Sequence, residues 1–571
     1  MNVKTFLTEK LIQTFKNLGY DADDVRVAFS DMDGVDLQCN SAFLLAKKYH
    51  DNPLNIANRI QKEFDNSNNF FAVSVAGAGF INFTATDLLL NRIANDVVMD
   101  DRIGVPRIEF PLSVFFDYGG ANIAKPLHVG HLRSAIIGQA LYNLNKFLGN
   151  KVVGDVHLGD WGLQMGLTIA ELMDKNDLSA YFDESINRPP ITEEMLDTAY
   201  PNANARKKVD EEFANRASDI TLKIQQKERG YYDIWREMRK VCINFLKRTY
   251  SSLDVDFDLW LGESSVNDLV PKVIQIFVDK GLAQKSDGAL VVDVKRDDDT
   301  KPMPPAIIQK SNGAQMYIIT DIATLVDRLN KYTLDRVVYV TDSRQQLHFE
   351  QWFRCVRLAE LAPKNLQLVH VGYGTINGTD GKPFKTRDGG VQRLDNLINS
   401  AIETAYAKLI ENGVDDRNTA KQIALSAIKF GDFINYVGKD YVFDFDKFLK
   451  FEGKTGPYVQ YTGVRIKSIL NKSKLNNYKV CVKTDEERKV VSSLIRLIDS
   501  FEVAYRENSL NTLCQCAYDL ASTYSNLYNN IKILGEEDEQ RRNALVSISY
   551  VVLKAITCAF EILGIEIPER M

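Results

Sequence analysis

Residues 112–138 constrain this chain more than any other stretch. They read Leu-Ser-Val-Phe-Phe-Asp-Tyr-Gly-Gly-Ala-Asn-Ile-Ala-Lys-Pro-Leu-His-Val-Gly-His-Leu-Arg-Ser-Ala-Ile-Ile-Gly. Residues 112–116 form a short apolar run suited to a buried parallel strand. Gly119, Gly120 and Ala121 let the chain turn tightly and let a ligand approach the backbone. Pro126 stands where a helix is about to begin. Val129, Leu132, Ile136, Ile137, Ala140, Leu141, Leu144 and Phe147 then recur at helical spacing, and Gly149 ends the run. Val152-Val153 opens a second strand. This is a βαβ unit.

The chemistry of the unit lies in its loop and first turn. A helix that starts after a strand has free N–H groups and the positive end of a dipole, so it favours a phosphate. Lys125, His128 and His131 crowd the same place, and histidines three apart can face one ligand. Two surface histidines, or half a metal site, are the ordinary readings of His-x-x-His. The chain has only six histidines, and no close cysteine or carboxylate completes a zinc site.

His128-Val129-Gly130-His131 resembles the "HIGH" signature of class I aminoacyl-tRNA synthetases. The longer string from Asn122 to Ser134, Asn-Ile-Ala-Lys-Pro-Leu-His-Val-Gly-His-Leu-Arg-Ser, resembles the arginyl-tRNA synthetases. That family usually has Ser-Ala-Pro or Ser-Ser-Pro before the Asn. Here Gly119-Gly120-Ala121 stand instead, which implies a looser loop without a serine contact. Further on, Gly159-Asp160-Trp161-Gly162 resembles the family's "GDWG" turn beside the active site. Gly378 to Gly390 looks like the second signature, "KMSKS", a mobile loop that closes on phosphates. Its register is open. Aligned on Lys382, the second lysine is Lys385; aligned on Arg387 and Gly389, that place falls to Thr386.

At 571 residues the chain is too long for one core. A net charge of −6 excludes a globally basic nucleic-acid binder, so RNA contacts must come from local patches. The seven cysteines are scattered without a C-x-x-C pair, as in reduced cytosolic proteins. No apolar signal segment and no run of membrane-spanning length are evident. The expectation is a soluble, cytoplasmic monomer with no membrane partner.

Taken in order, residues 1–110 read as an α+β domain with strands near 70–75 and 80–83. Residues 111–393 read as a doubly wound parallel, Rossmann-like α/β domain, with a polar helical insertion at about 175–285. Strands are expected at 289–294, 306–309, 315–320, 337–341 and 366–371, with a hairpin turn at Asn312-Gly313. Residues 394–571 read as helical throughout.

The resemblance implies ATP-dependent ligation of L-arginine to its tRNA through an arginyl-adenylate. ATP would arrive with Mg2+ held by its phosphates and water, with no dedicated protein ligands. It implies catalytic roles for Lys125, His128, His131, Lys382 and Lys385, and ATP contacts by Lys125, His128, Gly130, His131, Tyr373, Gly374 and Lys385. Arginine would meet Asn122 and, at or just beyond strand ends, Asp117, Tyr317, Asp321 and Gln345. The helical part would bind the anticodon through Tyr458, Tyr461 and Tyr528, and the first domain would meet the D-loop corner through Phe80 and Asn82. Taken singly, each of these tyrosines suits a core position better than a base contact. A catalytically silent tRNA-binding relative is the alternative; a small-cofactor nucleotidylyltransferase would not need the helical part.

Overall fold

The computed structural model describes residues 2–65, 69–123, 125–183, 185, 187–311, 316–378, 381 and 393–571. Lys382, Lys385 and the Asn312-Gly313 turn lie outside them. The chain forms two compact units, each discontinuous in sequence. One comprises 1–109, 402–436 and 445–571; the other comprises 110–401 and 437–444.

The first unit begins with helix α1 (Val3–Asn17), which Asn2 caps by accepting the Thr5 N–H at 3.1 Å. Strands β1 (Val27–Phe29), β2 (Leu37–Cys39), β3 (Phe71–Ala76) and β4 (Phe80–Ala85) form an antiparallel sheet in the order β1-β2-β4-β3. Helices α2 (Ser41–Tyr49), α3 (Pro53–Asp65) and α4 (Asp87–Met99) accompany it.

The second unit holds the βαβ segment: β5 (Ser113–Asp117), a 3-10 turn at Val129–His131, α5 (Leu132–Phe147) and β6 (Lys151–Asp155). Helices α6 (Leu163–Lys175), α7 (Glu193–Arg206), α8 (Glu211–Gln225), α9 (Tyr231–Ser252) and α10 (Val270–Asp279) follow. Then come β7 (Ala283–Ser286), β8 (Ala289–Val292), β9 (Ala306–Gln309), α11 (Tyr317–Lys331), β10 (Arg336–Asp342), α12 (Gln346–Leu358), β11 (Gln367–Tyr373) and β12 (Ile376–Asn377). The parallel sheet runs β11-β10-β5-β6. Its register sets Asp117 directly between Tyr339 of β10 and Asp155 of β6. Carboxylates of neighbouring strands therefore meet at the carboxyl end of the sheet, where ligands bind in such folds.

Two expectations about this unit are corrected. Strands β7, β8 and β9 form an antiparallel sheet of their own and do not extend the parallel one. Residues 315–320 are not a strand: from Tyr317 they are the first turn of α11. Ile318-Ile319-Thr320 is β-branched, but Ile318, Ile319, Ile322, Ala323 and Leu325 are all buried in one apolar cluster with Phe115, Val337 and Trp352. That helical-period burial outweighs a local strand preference. Tyr317 and Asp321 consequently ride on a helix.

The remaining elements are α13 (Leu394–Glu411), α14 (Arg417–Phe433), β13 (Tyr441–Val442), α15 (Phe445–Phe448), α16 (Gly456–Ser473), α17 (Asp485–Glu507), α18 (Asn511–Asn530) and α19 (Glu539–Leu563). β13 pairs with β12 inside the second unit. α19 corrects the reading of apolar runs: it is long and apolar enough to cross a membrane by composition. Most of that stretch is buried among its neighbours, as a core helix of a bundle is.

Candidate active site

The two signature histidines fold onto the backbone of their own turn. His128 Nδ1 accepts the Gly130 N–H at 3.1 Å, and His131 Nδ1 accepts the His128 N–H at 3.1 Å. Gly130 permits this, since a Cβ there would lie 2.8 Å from the His128 ring. With Nδ1 accepting, each neutral ring carries its proton on Nε2, and that N–H remains to donate. The ring centroids lie 4.0 Å apart. Burial, then Lys125, holds His128 down to about 4. Burial, then His128 and Lys125, holds His131 down to about 3. Both are neutral donors at physiological pH.

The loop before this turn is held more firmly than its glycines suggest. Gly119, at φ +90°, is a position few side-chain residues tolerate. Ser134 Oγ accepts the Gly119 N–H at 2.8 Å and donates to the Val340 carbonyl at 2.6 Å. Tyr250 Oη donates to the Gly119 carbonyl at 3.2 Å. Lys125 borders a cleft lined also by Asn122, Glu193, Asp197 and Phe245. Glu193 is paired with Arg248, and Asp197 with Arg393. Lys125 itself has no ion-pair partner among the described residues, so its ammonium is available to an anion. Asn122 is exposed and bridges in parallel to Gly159 of the Gly-Asp-Trp-Gly turn. Tyr373 is buried beneath the Arg133 guanidinium, which donates to the Gly374 carbonyl at 2.7 Å.

A second cluster gathers carboxylates. Asp321 Oδ2 lies 2.6 Å from His348 Nε2. Near it stands Glu263, which sequence reasoning missed. It is half-buried, and no donor among the described residues meets its carboxyl group. Burial, reinforced by Asp321 and Asp160, outweighs the opposing pull of His157 and pushes Glu263 up to about 8. Partial desolvation and then Glu263 raise the Tyr317 phenol, so these side chains share one neighbourhood. Tyr317 is 71% exposed at the start of α11, and Gln345 is exposed in the turn after β10. Asp160 positions Glu263. It is fully buried, accepts the Ser264 N–H at 2.9 Å and the Ser264 hydroxyl at 2.8 Å, and pairs with Arg239 at 2.6 Å.

Between the two clusters Asp117 is already engaged. The buried Arg328 Nη2 donates to Asp117 Oδ2 at 2.7 Å and to Asp155 Oδ2 at 2.9 Å. His157 Nδ1 lies 3.3 Å from Asp155 Oδ2, and its Nε2 lies 3.3 Å from Thr324 Oγ1. Burial opposes charge on His157, but the Asp155 hydrogen bond holds its pKa above the usual histidine value. The same bond, with Arg328, outweighs burial and holds Asp155 at about 2.

The two-histidine turn and the carboxylate cluster thus lie in one unit, at the carboxyl end of one parallel sheet. A family model described as "tRNA synthetases class I (R), catalytic domain" matches residues 95–445. "Arginyl tRNA synthetase N terminal domain" matches 1–85, and "DALR anticodon binding domain" matches 459–571. The chain belongs to the arginyl-tRNA synthetase family. The arginine–tRNA ligase of Agathobacter rectalis is 40% identical, with 99% of each chain covered. That of Francisella tularensis subsp. novicida is 39% identical, with 100% of each covered. The solved structure of Thermus thermophilus arginyl-tRNA synthetase aligns at a TM-score of 0.83 and 23% identity over 100% of both chains, a likeness of fold.

The expected RNA-contacting residues of this synthetase lie in the first unit. Phe80 is 39% exposed and packs edge-on against Phe43, whereas Asn82 is buried and its Oδ1 accepts from Gln38 at 2.8 Å. Asn82 therefore has a partner already, and Phe80 is the member of that pair that presents a face. Tyr461 and Tyr528 flank the Arg465 guanidinium at 4.9 and 4.6 Å. Tyr458 packs instead on Tyr518 at 5.5 Å. In the catalytic unit, a cavity of about 1040 Å³ lies over Trp161 and Tyr232. Its five cations are all paired with acids: Arg188 and Arg236 with Asp233, Lys227 with Asp268, Lys240 with Glu237, and Arg239 with Asp160. Little free positive charge remains there for a phosphate.

Proposed function

We propose that the chain joins L-arginine to its tRNA with ATP, and that the residues above divide the work as follows. Arginine's carboxylate attacks the α-phosphorus of ATP. Arginyl-adenylate forms and pyrophosphate leaves. The 2′-hydroxyl of the terminal tRNA ribose then takes the arginyl group and AMP leaves. No covalent bond to the protein is needed, so catalysis rests on positioning and charge stabilisation.

The observation that carries this reading is the pairing of two neutral Nε2–H donors with an open carboxylate slot in one unit. His128 and His131 donate to phosphate oxygens as negative charge redistributes. Lys125 adds a full positive charge, and Gly130 lets the nucleotide reach the backbone. Tyr373 and Gly374, buried at the end of β11 against Arg133, support the nucleotide site from behind. Lys382 and Lys385 belong to the loop that meets the leaving pyrophosphate. ATP enters as its magnesium complex, the ion held by phosphate oxygens and water.

A guanidinium is a planar fork best met by carboxylates. Asp321, held by His348, and Glu263 receive it, with Tyr317 and Gln345 alongside. Asp117 and Asn122 face the α-amino end. Phe80 meets the tRNA D-loop corner, and Tyr458, Tyr461 and Tyr528 meet the anticodon. The enzyme works as a monomer in the cytoplasm.

The test is arginine-dependent exchange of labelled pyrophosphate into ATP, with tRNA present, over a panel of amino acids. Exchange with arginine alone is expected. Exchange with a different amino acid overturns the substrate assignment. No exchange alongside tight tRNA binding selects the silent relative.

A further inference from the structure

Helix α11 carries more than the residues assigned to substrate. Asp321, Thr324 and Arg328 stand at i, i+3 and i+7, on one face. The first belongs to the guanidinium end of the slot. The other two tie the helix to the sheet: Thr324 through His157 to Asp155, and Arg328 to both Asp117 and Asp155. Both ties converge on Asp155, which is fully buried and in register with Asp117.

We propose that Arg328 and Thr324 are positioning residues that gauge the length of the amino acid. The inference rests on the slot assignment above. Asp117 receives the α-amino end and Asp321 the guanidinium end, and the two carboxylates stand on different elements. Their separation is fixed only if α11 cannot slide along β5 and β6. Asp321 and Arg328 are seven residues apart, about 10 Å of helix rise, the scale of an extended amino acid of arginine's size. Arg328 sets one end of that span by gripping Asp117 Oδ2 at 2.7 Å. It leaves Oδ1 to the substrate ammonium group.

The grip is an unusual use of an arginine. Arg328 is 2% exposed, and its Nε and Nη1 have no hydrogen-bond partner among the described residues. A guanidinium serving only as filler is poorly placed there, because an incompletely matched buried charge destabilises compared with an apolar side chain of similar size. Its stacking 4.4 Å from the Phe115 ring centroid fixes the plane of the fork as well as its reach. The Thr324 hydroxyl donates to the Thr320 carbonyl at 2.9 Å, leaving its lone pairs for the His157 N–H. That second tie stops α11 from rotating about the first.

The experiment uses the full-length enzyme in tRNA-dependent pyrophosphate exchange, comparing L-arginine with L-homoarginine, one methylene longer. Wild type is expected to prefer arginine strongly in kcat/KM. Arg328→Lys keeps the charge but loses the fork, and Thr324→Val keeps the shape but loses the His157 bond. Each is expected to lower the arginine/homoarginine ratio about tenfold, the lower end of what one methylene commands in a fitted pocket. A ratio within twofold of wild type in folded Thr324→Val overturns the gauge, whether or not Arg328→Lys folds. So does an equal fall of kcat/KM for both substrates. Asp321→Asn separates the layers. If its arginine KM is unchanged, the slot assignment itself fails. If its KM rises while the two α11 variants keep the wild-type ratio, only the gauge fails.

Discussion

Glu263 is a carboxyl group of the slot that meets the substrate with its protonation undecided. Held at about 8 by burial and neighbouring carboxylates, it carries a proton in much of the free enzyme at neutral pH. A guanidinium binds the deprotonated form, so kcat/KM for arginine should rise from pH 6 to about 8 and then level. His128 and His131, at about 4 and about 3, do not titrate in that window. Glu263→Gln should abolish the rise and raise the arginine KM; a pH profile of exchange in both proteins checks this. Asp321→Ala should raise the arginine KM at least ~100-fold, because stranding a buried charge costs about 3–5 kcal/mol. Lys125→Ala should lower kcat for arginine activation ~10²–10³-fold, the loss of about 3–4 kcal/mol of preorganised charge stabilisation. Its tRNA affinity should be unchanged. If Lys125→Ala exchanges at the wild-type rate while Lys385→Ala is dead, the transition-state charge comes from the loop instead.

At the scale of elements, the βαβ segment was legible because everything that makes it is local. Its apolar strand, glycine turn and helical period lie within about forty residues of sequence. The body of helix α11, at 322–329, was legible from its period, but its first turn was not. Ile318-Ile319-Thr320 after Asn312-Gly313 imitates a hairpin strand, and only packing against Phe115, Val337 and Trp352 shows which period counts. Reading a strand through Thr320 hid that Tyr317 and Asp321 share a helix with Thr324 and Arg328. Glu263 was illegible for another reason. Nothing in Leu-Gly-Glu-Ser-Ser marks a functional acid, and its placement depends on Asp160, about a hundred residues earlier, capturing Ser264. The glycine-rich loop was legible in place but not in firmness, since Ser134 and Tyr250 reach it from elsewhere. That firmness is testable. Ser134→Ala strands the buried Gly119 N–H and one acceptor bond, and should destabilise the enzyme by about 1–3 kcal/mol, read as a lowered Tm.

The whole molecule is interleaved, and this decides how long-range effects can be tested. The catalytic unit recovers residues 437–444 after the chain has left it. There β13 pairs with β12, and Arg133 Nη1 reaches the Lys439 carbonyl at 3.1 Å. A protein ending near residue 393 loses both contacts, so its inactivity would report damage inside the catalytic unit. Point substitutions in the helical part of the first unit avoid that problem. Tyr461 and Tyr528, held on either side of Arg465, are the expected stacking partners of a splayed anticodon base. A base stacked on an aromatic side chain contributes about 1–3 kcal/mol. Tyr461→Ala and Tyr528→Ala should each therefore raise the tRNA concentration for half-maximal arginine-dependent exchange about tenfold. Saturating tRNA should restore the full exchange rate in both variants, because the reacting groups are untouched. Unchanged half-saturation would remove the tyrosines from the RNA interface. A lowered plateau at saturating tRNA would instead make them part of the signal that completes the active site.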